Sequence, residues 1–275
     1  MKEILNNIVG GRYYVLEELG RGGFSSVYKV KDINSGEVYA LKQYITSDPA
    51  NHKRLLEGIE KELDVLKYTA HPVLPKIYNV IKEDNRFFLV MEYVEGVNLK
   101  KHVDSEGVMN NKDIVSVMYQ ICSGLYYLHS MEPPVVYRDL KPSNIILMQD
   151  GRVKLIDFGI SKRYSREADA DELACGSKGF AAPEQYGDKR GRGLYNTDIR
   201  TDIYGIGTTM YYLRTGKRFS GKINNYSILD KIKGRSISAK MKKVIIKCTY
   251  KNPDERYQNC IELLCAIKNL HIIKK

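Results

Sequence analysis

The amino-terminal third of the chain alternates apolar or aromatic residues with polar ones, in short runs separated by Gly-containing turns. Such alternation, rich in β-branched and aromatic side chains, is typical of strands that bury one face. The pattern predicts a meander of three strands over residues 13–19, 26–31 and 37–42, and a further buried strand over residues 86–92.

A helical period interrupts these strands and then dominates the rest of the chain. Between residues 53 and 68, five apolar side chains recur at the spacing of one helix face: Leu55, Leu56, Ile59, Leu63 and Leu66. After Gly96 the best helix candidates are residues 111–129, 201–215, 239–249 and 257–270. The sequence therefore predicts an α+β protein with a small strand-rich part (residues 1–94) that contains one main helix, and a larger helical part (residues 95–275).

The segment 202–213 is almost uncharged, which predicts a helix that is buried on every side. It is too short to cross a bilayer, and no other apolar run reaches the roughly 18 residues that a membrane span needs. The first residues include an early acid and lack the apolar run of a signal peptide. We therefore expect a soluble chain with no membrane segment.

The cysteines point to a reducing compartment. There are five of them, and an odd number cannot all pair within one chain. None forms a Cys-x-x-Cys pair or a cluster with His. The positions are Cys122, Cys175, Cys248, Cys260 and Cys265. A cytoplasmic location is expected.

The chain is basic, with a formal net charge of +11. Clustered Lys and Arg residues are the usual sign of a protein that binds nucleic acid or an anionic membrane surface. Here the cations are scattered, and the densest groups, residues 189–192 and 240–243, resemble ordinary solvated loops and helix faces. We therefore do not expect nucleic-acid binding. Acidic protein substrates or an acidic partner explain the charge equally well.

A glycine-rich turn lies between the first two predicted strands. Backbone amides in a turn with few side chains can approach phosphate groups closely, so this turn is a candidate phosphate-binding loop. A purely structural turn explains the same glycines equally well when the segment is considered alone. The candidate residues are Leu19, Gly20, Gly22, Gly23, Ser25 and Val27.

Two loops in the helical part carry the most specific motifs. Residues 135–144 read Val-Val-Tyr-Arg-Asp-Leu-Lys-Pro-Ser-Asn, and residues 154–159 read Lys-Leu-Ile-Asp-Phe-Gly. They resemble the catalytic loop and the magnesium-binding segment of the protein-kinase family. The resemblance covers about residues 13–270 in the family's order. It implies the bilobal protein-kinase fold, with residues 1–94 as the nucleotide-binding N-lobe and residues 95–275 as the catalytic C-lobe.

The resemblance assigns roles to four residues of these loops. Asp139 would accept the proton of the substrate hydroxyl, and Lys141 would neutralise the γ-phosphoryl oxygens. Asn144 and Asp157 would supply oxygen ligands to magnesium. A lone Asp in a loop is usually a turn residue. Asp139, however, lies inside a full motif that is followed by a predicted buried strand over residues 145–147, which favours the functional interpretation.

Lys42 ends an apolar strand of the amino-terminal part. In the family, a lysine at this position binds the α- and β-phosphates of ATP and pairs with a Glu on the helix, for which Glu62 is the candidate. On the residues alone, Lys42 could equally be a lysine that extends to water, and Glu62 a solvent-facing charge.

The same resemblance implies an adenine pocket. Met91 would be the gatekeeper, and residues 92–94, which include Glu92 and Val94, would form the hinge whose backbone meets adenine. The ring would lie between apolar side chains that also serve as core residues: Val27, Ala40 and Ile146.

Other positions fit the family at the carboxyl-terminal side. Residues 181–184 resemble the Ala-Pro-Glu end of the activation segment, and Glu184 would pair with Arg256. Asp202 resembles the residue that braces the catalytic-loop backbone. Ser177 stands at the position of the substrate-facing Thr.

These features predict a serine/threonine-protein kinase of the eukaryotic (Hanks) type found in bacteria, with ATP and magnesium as cofactors, Ser/Thr-containing proteins as substrates, and autophosphorylation. Tyr137 departs from the family, which usually has His there. Two alternatives stay open: a nucleotide-binding pseudokinase scaffold and a kinase-like small-molecule phosphotransferase. The presence of Lys42, Asp139, Asn144 and Asp157 argues against the scaffold. The activation segment argues against the small-molecule enzyme.

Overall fold

A computed structural model of the chain describes residues 4–22, 25–44, 59–60, 63, 65–67, 69–83, 86–159, 161–163, 176–186, 197–219, 237–268 and 270. The chain divides into two compact units. The first consists of Met1–Ala70 and Leu74–Glu95, and the second of His71–Val73 and Gly96–Lys275. Strands dominate the first unit and helices the second, which confirms the α+β prediction.

The first unit contains a six-stranded antiparallel sheet with the strand order β1-β2-β3-β4-β6-β5. The strands are β1 (Ile8–Val9), β2 (Tyr13–Arg21), β3 (Ser25–Asp32), β4 (Val38–Tyr44), β5 (Ile77–Glu83) and β6 (Arg86–Glu92). The four predicted strands are confirmed as β2, β3, β4 and β6. The sequence pattern did not reveal β1 or β5.

One face of this sheet covers the core of the first unit. The alternation of side chains along each strand turns one set of residues towards a common buried cluster. The cluster contains Ile4, Val9, Tyr13, Val15, Tyr28, Val30, Leu41, Phe88 and Val90. Side chains that alternate with this cluster along β3, β4 and β6 therefore face the other side of the sheet.

The helix predicted over residues 53–68 is described only in part. Residues 59, 60, 63, 65 and 66 are helical, and Ile59, Val65 and Leu66 are buried. Glu62 lies outside the described residues, so its predicted pairing with Lys42 stays a prediction.

The second unit is built on five helices among its described residues, together with short strands. The helices are α1 (Leu99–Glu106), α2 (Asn111–His129), α3 (Ile199–Thr215), α4 (Ala239–Cys248) and α5 (Cys260–Lys268). The short strands are β7 (Val97–Asn98), β8 (Val135–Val136), β9 (Ile145–Leu147), β10 (Val153–Leu155) and β11 (Lys162–Arg163). They pair as β10-β9-β7 and as β11-β8. The predicted helices correspond to α2, α3, α4 and α5, of which α5 is shorter than predicted.

Helix α3 is buried along most of its length, as its uncharged sequence predicted. Every residue from Thr201 to Leu213 is buried. The helix begins at the N-cap Asp198, whose side chain accepts a hydrogen bond from the Arg200 backbone N–H at 2.8 Å. It ends at Gly216, which takes the left-handed conformation (φ +69°). Among the described helices, none combines the length and the apolar character that a bilayer-spanning segment requires.

Candidate active site

The loop after β8 holds Asp139 and Lys141 in a largely buried ion pair. Lys141 Nζ lies 2.6 Å from Asp139 Oδ2, and the two side chains are 21% and 10% exposed, respectively. Lys141 precedes Pro142, and a proline disfavours helical backbone at the residue before it. Lys141 is accordingly extended (φ −154°, ψ 158°) at the start of a 3₁₀ turn over Pro142–Asn144. The motif sequence therefore sets the local backbone that carries the pair.

Ser177 completes this network from a distant part of the chain. Its hydroxyl donates to Asp139 Oδ1 at 2.9 Å, and Lys141 Nζ donates to Ser177 Oγ at 2.7 Å. The backbone carbonyl of Ser177 accepts hydrogen bonds from the N–H groups of Phe180 and Ala181, which fixes a tight turn. Asp139 thus accepts from an ammonium on one oxygen and from a serine hydroxyl on the other.

Burial raises the pKa of Asp139, and the nearby charge of Asp157 raises it further, whereas Lys141 and Ser177 lower it. The balance leaves the pKa above that of an ordinary Asp. A carboxylate with a raised pKa accepts a proton near neutral pH more readily than an exposed Asp does. The environment of Asp139 therefore suits a general base.

Asn144 contacts this carboxylate, and Asp157 is close enough to interact with it electrostatically. Asn144 Nδ2 donates to the backbone carbonyl of Asp139 at 3.1 Å and to its Oδ2 at 3.0 Å, which leaves the Asn144 side-chain oxygen as an acceptor. The backbone N–H of Ile156 donates to the Asn144 carbonyl at 2.9 Å and thereby joins the two loops. Asp157 follows in the left-handed conformation (φ +67°).

These residues fit a magnesium ion. Carboxylate and amide oxygens are hard ligands of the kind that Mg²⁺ prefers. The carboxylates of Asp139 and Asp157 also interact unfavourably, and a divalent cation would offset that repulsion. The described residues contain no group of three or more His, Cys, Asp or Glu side chains suited to a metal ion. Phosphate and water oxygens would therefore complete the coordination.

Asp202, near the start of α3, holds the backbone of the loop that carries Asp139 through hydrogen bonds. Its Oδ2 accepts from the Tyr137 N–H at 2.9 Å, and its Oδ1 accepts from the Arg138 N–H at 2.8 Å. Asp202 Oδ2 also lies 2.8 Å from His129 Nε2. Arg138 itself has a positive φ of 65°. The contact that the sequence suggested for Asp202 is present, and it holds the residue before Asp139 in an unusual backbone conformation.

In the first unit, four of the predicted nucleotide-binding residues share one face of the sheet: Val27, Ala40, Lys42 and Met91. Val27 pairs with Lys42, and Ala40 pairs with Met91, in the antiparallel registers of β3, β4 and β6. Cross-strand partners point to the same side, and Leu41 on the other side belongs to the core cluster. Lys42 is 4% exposed, with Nζ 5.2 Å from the centre of the Tyr44 ring. The first unit thus carries a buried lysine on the same sheet face as Val27, Ala40 and Met91.

Comparison with known proteins decides which family has this arrangement. The family model described as the protein kinase domain matches residues 13–271, which is nearly the whole chain. The chain belongs to the protein kinase family. The bilobal protein-kinase fold expected from the sequence, with a strand-rich first part and a helical second part, is thereby confirmed.

Known relatives of this kinase domain are serine/threonine-protein kinases, several of them bacterial. PrkC of Bacillus subtilis is 30% identical over 276 residues, which cover 96% of this chain and 41% of PrkC. Serine/threonine-protein kinase B of Synechocystis is 31% identical over 277 residues, covering 94% of this chain and 47% of the relative. The yeast kinase cds1 of Schizosaccharomyces pombe is 32% identical over 209 residues, covering 74% of this chain and 44% of cds1. The chain therefore spans less than half the length of each of these relatives.

Glu184 and Arg256 form a buried ion pair in the second unit of the kinase domain. Arg256 Nη1 and Nη2 donate to the two carboxylate oxygens at 2.7 and 2.8 Å, and both side chains are at most 1% exposed. Thr201 also donates to Glu184 Oε1 at 2.9 Å. The remaining guanidinium contacts are to backbone carbonyls of residues 200, 250 and 251. The pair expected from the sequence is present, with its hydrogen-bonding groups satisfied.

Gln185 is a site residue that the sequence analysis missed. Its Nε2 donates to the Arg138 carbonyl at 2.7 Å, and its Oε1 accepts from the Ala182 N–H at 2.9 Å. A Cβ added at Gly176 would lie only 2.8 Å from Gln185 Nε2, so the Gln185 side chain leaves no room for a larger residue there. The residue after the Ala-Pro-Glu motif thus links the activation-segment end to the catalytic loop. Only its position next to that motif hinted at a role.

Tyr137 fills the position where the family usually has His. Its ring is fully buried and packs edge-on against Phe158 at a centroid distance of 5.0 Å. Its hydroxyl donates to the backbone carbonyl of Ile156, the residue before Asp157. Tyr137 therefore supports the segment that carries Asp157 through a side-chain contact to its backbone.

The structure places the predicted residues of this kinase domain in two groups. Asp139, Lys141, Asn144 and Asp157 lie together in the second unit, where Ile146 is on β9. The first unit holds Leu19, Gly20, Gly22, Ser25, Val27, Ala40, Lys42, Met91, Glu92 and Val94. In the turn between β2 and β3, the Gly22 N–H donates to the Ser25 carbonyl at 2.7 Å. Gly23 and Glu62 lie outside the described residues.

Proposed function

We propose that this chain transfers the γ-phosphoryl group of ATP to serine or threonine hydroxyls of proteins, including its own chain. The observation that carries the proposal is the contact between Asp139 and Ser177. A serine hydroxyl donates to Asp139 Oδ1 at 2.9 Å while Lys141 Nζ lies 2.6 Å from Oδ2. The carboxylate can therefore orient a hydroxyl of the kind that a protein substrate would offer.

In the proposed reaction, the acceptor hydroxyl, Asp139 and Lys141 each have one role. The acceptor oxygen forms a bond to the γ-phosphorus as the bond between that phosphorus and the β,γ-bridging oxygen breaks. The hydroxyl proton moves to Asp139, whose pKa burial raises. Lys141 carries a positive charge next to the reacting oxygens and stabilises the charge that develops on the phosphoryl group. ADP leaves with the bridging oxygen.

ATP and magnesium are the proposed cofactors. Asn144 and Asp157 would hold the metal, which when bound neutralises phosphate charge and keeps the phosphates in line. In the first unit, Lys42 would bind phosphate, while Val27, Ala40 and Met91 share the face proposed to contact adenine. We accordingly propose nucleotide binding for the first unit and catalysis for the second. The buried free thiols of Cys122, Cys248 and Cys260 support a reducing, cytoplasmic location.

The proposal is tested by phosphate transfer from labelled ATP in the presence of magnesium, with a generic basic protein as acceptor. The wild type is compared with Asp139→Asn and with Asp150→Asn, a control at an exposed carboxylate that pairs with Arg152. Label on Ser or Thr, identified by mass spectrometry, is expected in the wild type and the control but not in Asp139→Asn. Nucleotide binding without transfer would instead support the pseudokinase scaffold.

A further inference from the structure

The segment after α3 presents an arginine on a fixed backbone. Gly216 ends the helix with a left-handed conformation, and Phe219 is buried. The Phe219 ring packs edge-on against Tyr204 and Tyr211 at centroid distances of 6.3 and 5.4 Å. Arg218 lies between these two anchors and is itself exposed. Its backbone is therefore held in place while its guanidinium group faces solvent.

Arg218 lies directly against the turn that carries Ser177. A Cβ added to Gly179 would be 3.0 Å from Arg218 Cβ and 3.5 Å from Arg218 Cδ. The aliphatic part of the arginine thus lies across Gly179, two residues after Ser177. Two residues of chain span at most about 7 Å. Arg218 is therefore within reach of residues that flank an acceptor hydroxyl placed at Asp139.

The described residues around Arg218 have an excess of positive charge. Arg218 forms no hydrogen bond or ion pair with any residue that the structure describes, and Lys178 and Lys217 are also exposed. Among the described residues, Asp104 is an acid near this surface, and Lys100 engages it at 2.6 Å. This hydrogen bond raises the pKa of Lys100, and the charge of Arg218 partly opposes the increase. Asp104 is thus already paired with Lys100, and within the part of the chain that the structure describes Arg218 has no acidic partner.

We propose that Arg218, with Lys178 and Lys217 beside it, forms a subsite for an acidic side chain of the protein substrate, within about two to four residues of the acceptor. The inference rests on the proposed kinase function. A guanidinium group binds carboxylates and phosphates through two parallel hydrogen bonds. The ligand is therefore Asp, Glu or a phosphorylated residue. A solvated arginine with no ligand is the competing interpretation, and it predicts no preference for acidic peptides.

The test uses peptides with one serine acceptor in an otherwise neutral sequence. A single Glu, phosphoserine, Lys or Ala is placed in turn at each of the four positions before and after the acceptor. The ratio of kcat/KM between acidic and Ala peptides is measured for the wild type, Arg218→Ala and Arg218→Glu. Lys112→Ala removes an exposed cation on α2 and is the matched control. Thermal unfolding shows that each variant is folded.

For the wild type and the control, Glu at one preferred position is expected to raise kcat/KM by about two- to fivefold, the range of an exposed ion pair. Phosphoserine should raise it more because it carries more negative charge. The preference should disappear in Arg218→Ala, change to Lys in Arg218→Glu, and weaken at high salt.

Two outcomes would overturn this subsite. Glu, Lys and Ala peptides could be phosphorylated equally by the wild type, or the acidic preference could persist in Arg218→Glu. Either result leaves the kinase function intact, because transfer is still observed. If transfer by the wild type does not exceed that of Asp139→Asn for any peptide, the proposed function itself is wrong, and the subsite falls with it.

Discussion

The side-chain amide of Gln185 donates a 2.7 Å hydrogen bond to the backbone carbonyl of Arg138, the residue immediately before Asp139. The other end of the same amide accepts from the Ala182 N–H at 2.9 Å. Both contacts are buried or partly buried, so water does not compete freely for them. One side chain therefore sets the position of the candidate base relative to the end of the activation segment.

Replacing Gln185 with Leu removes both contacts. We expect a loss of about 1–3 kcal/mol in the free energy of unfolding, because buried backbone groups lose their partners. We also expect kcat to fall while the KM for ATP changes little. The control is Gln120→Leu, because Gln120 likewise bridges two backbone groups, at residues 151 and 153. If both variants keep the wild-type kcat per folded molecule, Gln185 has only a structural role.

Arg256→Met should be among the most destabilising single substitutions in the second unit. It leaves Glu184 buried without its ion-pair partner, which costs about 3–5 kcal/mol. Urea unfolding measures the loss. Arg152→Met is the control, because the Arg152–Asp150 pair is exposed and should contribute at most about 1 kcal/mol. The double variant Glu184→Leu/Arg256→Met should be more stable than the sum of its single changes, and strict additivity would contradict the coupling.

Stability should fall as the pH rises through the titration of His129. Burial lowers the pKa of this imidazole, but the hydrogen bonds to Asp202 and Cys260 outweigh burial and raise it to about 9. Because the folded pKa exceeds the unfolded value of about 6.5, the stabilisation is complete below that value and is lost between about pH 6.5 and 9. Unfolding measured from pH 6 to 9.5 should show the decline. In His129→Gln it should be smaller, and an identical decline would refute the assignment.

Asp157→Asn should weaken magnesium binding. The change removes a negative charge and a carboxylate ligand while nearly keeping the size of the side chain. A non-hydrolysable ATP analogue is bound to the protein, and the increase in Tm is followed as magnesium is added. The magnesium midpoint should rise at least about tenfold, which corresponds to about 1.4 kcal/mol. Asp150→Asn is expected to keep the wild-type midpoint, and an unchanged midpoint in Asp157→Asn would remove this residue from the metal site.

The sequence predicted those parts of the site whose chemistry depends on neighbours along the chain. Asp139, Lys141 and Asn144 lie within six residues, so their spacing alone indicates a shared loop. Gln185 contacts a backbone carbonyl 47 residues away, and a contact to a backbone group does not require any particular residue type at the distant position. No motif could reveal that contact.

The elements of the fold that the sequence pattern did not predict also have physical explanations. Helix α1 (Leu99–Glu106) buries only Leu99 and Val103, so its short sequence shows too few apolar residues for a helical period. Strand β5 lies at the edge of the sheet, and its Tyr78 and Val80 are exposed. Its apolar side chains therefore do not follow the alternation expected of a half-buried strand. The long helices α2 and α3 were recognisable because packing against several neighbours demands many apolar residues.

Arg138 and Asp157 both adopt positive φ angles, which residues with a side chain rarely do. Such conformations cost about 1–3 kcal/mol each and persist only where the surroundings enforce them. Glycine at position 157 would relax the backbone and also remove the repulsion between two carboxylates. Directed evolution for heat resistance alone would therefore favour Gly at this position, and loss of the proposed magnesium ligand would make those proteins inactive. A thermostable variant of this kinase domain has to be selected for phosphoryl transfer at the same time.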